Sequence, residues 1–406
     1  MAGKSKGKAA KGSNRKVMRF AHPFYTNTPA ADRKPVAGAG QKMTDYVQAK
    51  LLAIPKPIRN PPQMTLADIV GAQGEAAITT AKKITFHAFG DSGNTATDIQ
   101  ELIAGVMARD FTPATPDTSP AFLLHLGDVI YYDNTDTGYQ SQFYVPYKKY
   151  PGKIIAIPGN HDGELFKYDG TPTGQKVTLG AFQQNFCQPK SGVPKAAGTI
   201  YREMVSQPGV YWWLNAPFLD VVALYSNVGE GPGYISGPIP GQAQKKWLTA
   251  TLAQIKKNRA GAKRKALLIV MHHPPYSHGG HDSSTDMLKD IDDSCTTAGI
   301  MPDVVLAGHS HTYQRFTRYK TFGGVNMQIP YYVVGTGGRK PSGVSAANGA
   351  RVGDYSYDAA ASSYGFLTVT CTETEVDLSF TEVKEDGSSN PFDKKVVVDL
   401  KTNTIR

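Results

Sequence analysis

The sequence predicts an α/β protein with its helices outside its sheets. Six short runs between residues 83 and 308 are mostly continuous in apolar, β-branched and aromatic residues. That composition suits strands covered on both faces. Helical patterns lie between several of these runs, and strand–helix–strand alternation places helices over sheet faces. After residue 330 the helical pattern stops and strand-like segments follow one another.

In chain order, the predicted strands are "KITFHAFG" (83–90), "AFLLHLG" (121–127), "KIIAIPG" (153–159), "LDVVALYS" (219–226), "KALLIVMHH" (265–273) and "PDVVLAG" (302–308). The first predicted helix is "TDIQELIAGVMARD", where Ile99, Leu102, Ile103, Val106 and Met107 form one apolar stripe. The second spans 241–258, with Leu248, Leu252 and Ile255 in its stripe and lysines in its last turn. Beyond residue 330, "PYYVVGTGG", "GFLTVTCTETEVDLSFTEV" and "KKVVVDL" predict a mainly antiparallel sheet, with "EDGSSNP" turning between the last two. The long connections 132–152 and 163–200 are expected around the mouth of a site.

Charge is unevenly spread. The 406-residue chain carries +10, yet residues 1–60 hold 13 Lys and Arg against 2 Asp and Glu, and the remainder is nearly balanced. Residues 1–80 are therefore expected to form a basic, partly disordered N-terminal arm, with one weak helix signal at 64–71, and residues 81–406 the folded domain. The arm lends itself to contact with nucleic acid, but a solvated tail is the expectation. No apolar run reaches the ~18 residues of a membrane span. The first residues lack the ~7–15 apolar positions of a secretory signal, which points to the cytoplasm. Cys187, Cys295 and Cys371 are too few and too far apart for a disulfide framework or a zinc cluster, and read as buried free thiols.

The chemistry lies in the loops that follow the strands. "GDSG" brings Asp91, "GDVIYYD" Asp128, and "GNHD" Asn160, His161 and Asp162. "MHHPPYS" brings His272 and His273, and "HSH" brings His309 and His311. Each alone has an ordinary explanation: a turn aspartate, an Asx turn, a hydrogen-bonded core histidine. Five such segments, each just past a strand, point together to a metal centre at one sheet edge. Carboxylate, amide and imidazole donors without thiolate suit Fe, Mn or Zn. The donors outnumber the needs of one ion, and Asp128 can bridge two. Two ions ~3.5–4 Å apart polarise a phosphoryl group and hold a hydroxide for in-line displacement.

The order D-x-G, GDxxY, GNH[DE], HxP, GHxH over about residues 84–390 resembles the calcineurin-like metallophosphoesterase superfamily. The tyrosine three residues past Asp128 is similar to that of its purple acid phosphatase branch, in the build of bacterial members. The resemblance implies an αββα sandwich of two mixed β-sheets flanked by helices, with a dinuclear centre at the strand ends. It implies one ion on Asp91, Asp128, Tyr131 and His311, and another on Asp128, Asn160, His272 and His309. Fe(III) would pair with Fe(II), Zn or Mn, or both ions would be divalent. His161 and His281 match the family's substrate-holding and proton-donating histidines, with His278 close by, and Asn160 also faces substrate. The activity implied is hydrolysis of a small phosphorylated substrate, a phosphomonoester in an acid phosphatase-like reaction. The alternatives are a phosphodiesterase acting on cyclic nucleotides or nucleic acid, and a non-catalytic binding protein stabilised by metal.

Overall fold

A computed structural model describes residues 51–112, 119–167, 169–260 and 264–406. Most of the expected basic arm, residues 1–50, lies outside the described residues. Its described part joins the fold: β1 (Gln63–Thr65) pairs in parallel with β5 (Trp212–Ala216), and α1 (Ala67–Ala81) follows.

Two mixed sheets make up the body. The seven-stranded sheet runs β16 (Thr404–Ile405), β15 (Ser389–Asp399), β14 (Glu375–Val383), β13 (Tyr364–Cys371), β2 (Ile84–Phe89), β3 (Phe122–His125), β4 (Lys153–Ala156). The nine-stranded sheet runs β1, β5, β6 (Leu219–Ala223), β7 (Ala266–Val270), β8 (Val304–Ala307), β10 (Val325–Val334), β9 (Tyr313–Phe322), β12 (Tyr355–Ala361), β11 (Arg351–Val352). Each sheet has a run of parallel strands, β2–β3–β4 at one edge of the first and β6–β7–β8–β10 within the second; apart from the parallel β1–β5 pair, the remaining pairs are antiparallel. All six strands expected before residue 310 are present.

Alternation along β7 shows how the layers are filled. Leu268 and Val270 join a core shared by both sheets, with Phe86, Phe122 and Trp212. Leu267 and Ile269 point the other way, into a second core with Leu248, Leu252 and Ile255 of α3 (Ala243–Ala260) and Met287 and Ile291 of α4 (Thr285–Ala298). Successive strand residues face opposite sides, so a strand buried on both must be apolar throughout. α2 (Ile99–Met107) lies against β13 and β14. The three cysteines are free and buried. Among the described residues no helix is long and apolar enough to cross a membrane.

One expectation is corrected. The segment 132–152 does not rim a site with its aromatic residues: Tyr139, Phe143, Tyr144, Tyr147 and Tyr150 are buried in the shared core. Short helical turns over 136–144 fold these rings inward, where Phe143 meets Phe186 at 5.5 Å and Phe89 stacks on Tyr147 at 6.1 Å. Burying five large rings stabilises more than leaving them at a wet mouth. The segment 163–200 does adjoin the helical turn at 160–163, tied to it by Gln175 on the Asp162 and Glu164 carbonyls and Thr178 on that of Gly163.

Candidate metal centre

The parallel strands of both sheets end at one place, and backbone hydrogen bonds join their loops. Gly90 N donates to Val334 O at 2.8 Å, linking the end of β2 to the end of β10. Leu126 O, beyond β3, accepts from Nδ1 of His272, beyond β7, at 2.8 Å. That bond fixes the tautomer of His272 and turns its Nε2 toward the carboxylates. The loops are tight. A Cβ at Gly127, where φ is +95°, would come within 2.6 Å of His272 Nδ1. Asp91, Asp128 and His309 have φ of 59°, 53° and 68°. Left-handed backbone is uncommon for such residues, and it concentrates where a site dictates side-chain direction.

The predicted donors converge as two groups. In the first, Tyr131 Oη is 3.2 Å from Asp91 Oδ1 and 2.9 Å from His311 Nε2, with His311 Nε2 3.6 Å from Asp91 Oδ1. In the second, Asn160 Oδ1 is 3.0 Å from His272 Nε2 and 3.1 Å from His309 Nδ1, and Asp128 Oδ2 is 3.3 Å from His272 Nε2. His272 Nε2 also lies 3.9 Å from Asp91 Oδ1, so the two groups adjoin. Metal bonds of ~2.0–2.2 Å at tetrahedral or octahedral angles place neighbouring donors about 2.9–3.5 Å apart. The donor separations are of this size, so the residues fit a pair of ions. The chemistry of the set agrees: hard oxygens and imidazoles, with no thiolate.

Protonation differs among the imidazoles: burial works against a charge on His272, but Asp128 and Asp91 raise it to about 9. Burial and the neighbouring histidines hold His309 well below its usual range, so its ring is neutral. Burial and His281 do the same to His311. Neutral imidazole is the form that ligates metal. The buried Nε2 of His309 has no hydrogen-bond partner among the described residues. Burial pushes Asp91 up to about 7, against the pull of His272. Burial also acts to raise Asp128, but His272 and His161 outweigh it and hold the carboxyl low.

The other predicted residues fall into clear places. His161 donates its backbone N–H to Asp128 Oδ1 at 2.9 Å, its Nδ1 is 2.8 Å from Glu164 Oε2, and its Nε2 is 3.6 Å from Glu230 Oε1. Burial works against its charge, but Glu164, Asp128 and Glu230 together raise it well above the ordinary imidazole value. The ring of His281 lies 3.9 Å from that of His309, and its Nδ1 donates to Glu230 O at 3.2 Å. Burial lowers His281 to about 4. His278 instead meets Tyr355 Oη at 3.0 Å among Phe316 and Tyr357. His273 turns away to Ser226 Oγ at 2.7 Å and the Gly229 carbonyl at 2.6 Å. Asp162 accepts from the N–H groups of Gly159 and Val129, holding the 159–163 turn against the 127–131 loop. Tyr132 is half-buried, its ring 5.0 Å from that of His161.

Sequence reasoning missed Glu164, Glu230 and Arg339. Glu164 sits only three residues past His161, a spacing that was open to notice. Glu230 comes from a turn after β6 that carries no metal-type motif. Arg339 follows a strand and a glycine-rich loop, as the ligands do.

Residues 84–313 match the family model described as calcineurin-like phosphoesterase, over more than half of the chain. The chain belongs to the calcineurin-like phosphoesterase family. No curated protein matches it. Among solved structures it is similar to GAP50, the anchor in the inner membrane complex of Plasmodium, at 13% identity, covering 77% of this chain and 89% of that one with a TM-score of 0.49. It is also similar to PhoD, at 13% identity over 80% of this chain and 71% of that one, TM-score 0.46. Vacuolar Protein Sorting 29 from Cryptosporidium parvum matches at 13% identity over 77% and 97%, TM-score 0.32. For this calcineurin-like phosphoesterase, the two mixed sheets with flanking helices are the family's fold, and the buried Asp and His groups are candidate metal ligands.

Proposed function

We propose that this protein is a dinuclear metal-dependent phosphomonoesterase of the purple acid phosphatase kind. The observation that carries the reading is the pair of donor groups at coordination spacing, above all Tyr131 Oη 2.9 Å from His311 Nε2 and 3.2 Å from Asp91 Oδ1. Asp91, Asp128, Tyr131 and His311 would hold one ion, and Asp128, Asn160, His272 and His309 the other. Such a pair, when bound, neutralises phosphoryl charge and makes water nucleophilic near neutral pH.

The chain's own residues supply the rest. Leu126 and the backbone N–H of His161 hold His272 and Asp128 in place, so no reorganisation is needed as charge develops. Asn160 presents its amide N–H toward Glu230 Oε1 at 3.4 Å and keeps Oδ1 for the ligand group. His161, flanked by Glu164 and Glu230, is placed to hold the proton that the leaving oxygen takes. His281, its ring 3.9 Å from that of His309, gives its Nδ1 proton to Glu230 O and so would hydrogen-bond a phosphoryl oxygen only after taking up a proton at Nε2.

The test is hydrolysis of an aryl phosphomonoester and the matching diester by metal-loaded protein, with spectra of the iron-loaded form. The monoester should be the better substrate; a strong preference for the diester would favour the phosphodiesterase alternative. Oxidised, iron-loaded wild type should show a visible phenolate-to-iron band, absent in Tyr131→Phe and retained in Tyr132→Phe. No band in the wild type would remove the purple acid phosphatase assignment while leaving two divalent ions open.

A further inference from the structure

The loop after β10 closes the same edge as the ligand loops. Gly337 N donates to Gly90 O at 2.9 Å, and Arg339 N donates to Asp91 O at 2.8 Å. The backbone of Arg339 is thus tied to a proposed ligand. Its guanidinium carbon lies 4.3 Å from the ring centre of Tyr131 and 5.4 Å from that of Tyr132. The side chain is half-buried. Stacking engages the flat face of a guanidinium and leaves its in-plane N–H donors for other partners.

The use of those donors sets Arg339 apart. Arg202 spends its N–H groups on the carbonyls of Tyr147, Tyr150 and Gly152. Arg315 and Arg318 are held by pairs of carboxylates. Among the described residues, no carboxylate pairs with Arg339. A cation held beside Tyr131, with its forked donors unspent, matches the remote oxygens of a phosphoryl group.

We propose that Arg339 binds the terminal phosphate of the substrate and, by reading its second negative charge, sets a preference for monoesters over diesters. The inference rests on the phosphomonoesterase reading. A monoester offers three non-bridging oxygens and up to two charges. A diester offers two oxygens and one charge, so the loss of a cationic fork costs it less. Sequence alone hides this role, since an arginine after a glycine-rich loop has no motif of its own.

The experiment compares wild type, Arg339→Gln and Arg339→Lys, all metal-loaded and checked for equal metal content. Glutamine keeps a flat group over Tyr131 without charge; lysine keeps charge without the fork. Calorimetric binding of inorganic phosphate should weaken about 10- to 100-fold in Arg339→Gln and recover in part in Arg339→Lys. kcat/KM for the monoester should fall by a similar factor, mainly through KM, with the diester much less affected. Added guanidinium should restore part of the monoester activity of Arg339→Gln. Unchanged phosphate affinity would overturn the proposal. So would a parallel fall on both substrates, or loss of metal in Arg339→Gln, either of which would make the arginine a support for Tyr131. A wild type that prefers diesters would defeat the phosphomonoesterase reading instead, and the phosphate titration would still decide whether Arg339 binds the anion.

Discussion

Two charge clusters in this protein are built on opposite principles. On β9, Arg318 meets Asp292 through both terminal nitrogens at 2.8 and 2.6 Å and Asp354 through Nε at 2.9 Å, while Lys320 reaches Asp292 at 3.0 Å. Arg315 does the same with Asp393 and Asp358. Every carboxylate there has an arginine or lysine, and the contacts of Arg318 with Asp292 and of Arg315 with Asp393 are bidentate. At the strand ends, Asp91 and Asp128 have no arginine or lysine partner among the described residues. They face imidazoles, an amide and a phenol, and two of the imidazoles are held neutral. The first cluster is complete as it stands. The second has surplus donors, left-handed backbone at three of them, and negative charge that calls for cations. Burial alone therefore does not mark function; incomplete compensation does.

Substitutions on the two sides should behave in opposite ways. The largest effect is expected from Asp91→Asn, which should cut hydrolysis by about three orders of magnitude or more, the scale of losing a group at the reacting centre. Metal-free Asp91→Asn should nevertheless melt no lower than metal-free wild type near neutral pH, because burial outweighs the pull of His272 and pushes the carboxyl up to about 7, so its ionised form is disfavoured in the fold. A lowered melting temperature with normal turnover would place Asp91 in the structural class.

A smaller effect separates the two histidines of "HGGH". His281→Ala should lower kcat by about 100-fold, within the range for a group acting directly on substrate. His278→Ala should change turnover little and act instead on stability, through the Tyr355 and Phe316 contacts. The reverse result in steady-state kinetics would exchange their roles.

The smallest effect on turnover is expected on β9. Asp292→Asn should leave hydrolysis unchanged and cost about 1–2 kcal/mol of folding stability, after allowance for partial exposure. Burial raises the carboxyl of Asp292, but the Arg318 hydrogen bond and charge, with Lys320, outweigh it and hold the carboxyl below 3.8. The sign follows: a depressed folded pKa stabilises at neutral pH, and that stability is lost as pH falls below 3.8. Denaturant titrations should show the gap between wild type and variant closing on the acid side of that value.

What the sequence revealed follows from the same contrast. The parallel strands of both sheets were legible because burial on two faces demands unbroken apolar runs. The ligands were legible because each follows such a run. β9 was not: "YQRFTRYKTF" buries Arg315 and Arg318, and only distant carboxylates make that affordable. α4 was missed because "TDMLKDIDDSCTTA" hides its stripe of Met287, Ile291, Cys295 and Ala298 among acids. β1 has three residues, too few for any period to register. Glu230 and Arg339 reach the centre from segments remote in sequence, so only the fold brings them near Asn160 and Tyr131.

On the proposed reading, two ions would share Asp128 between the two donor groups. Elemental analysis of the purified protein, made without chelator and dialysed to constant content, tests it most directly, alongside Asp128→Asn handled identically. The expected result is two transition-metal ions per wild-type chain and a loss at both positions in the variant. One ion or none in the wild type, or two retained by Asp128→Asn, would contradict it.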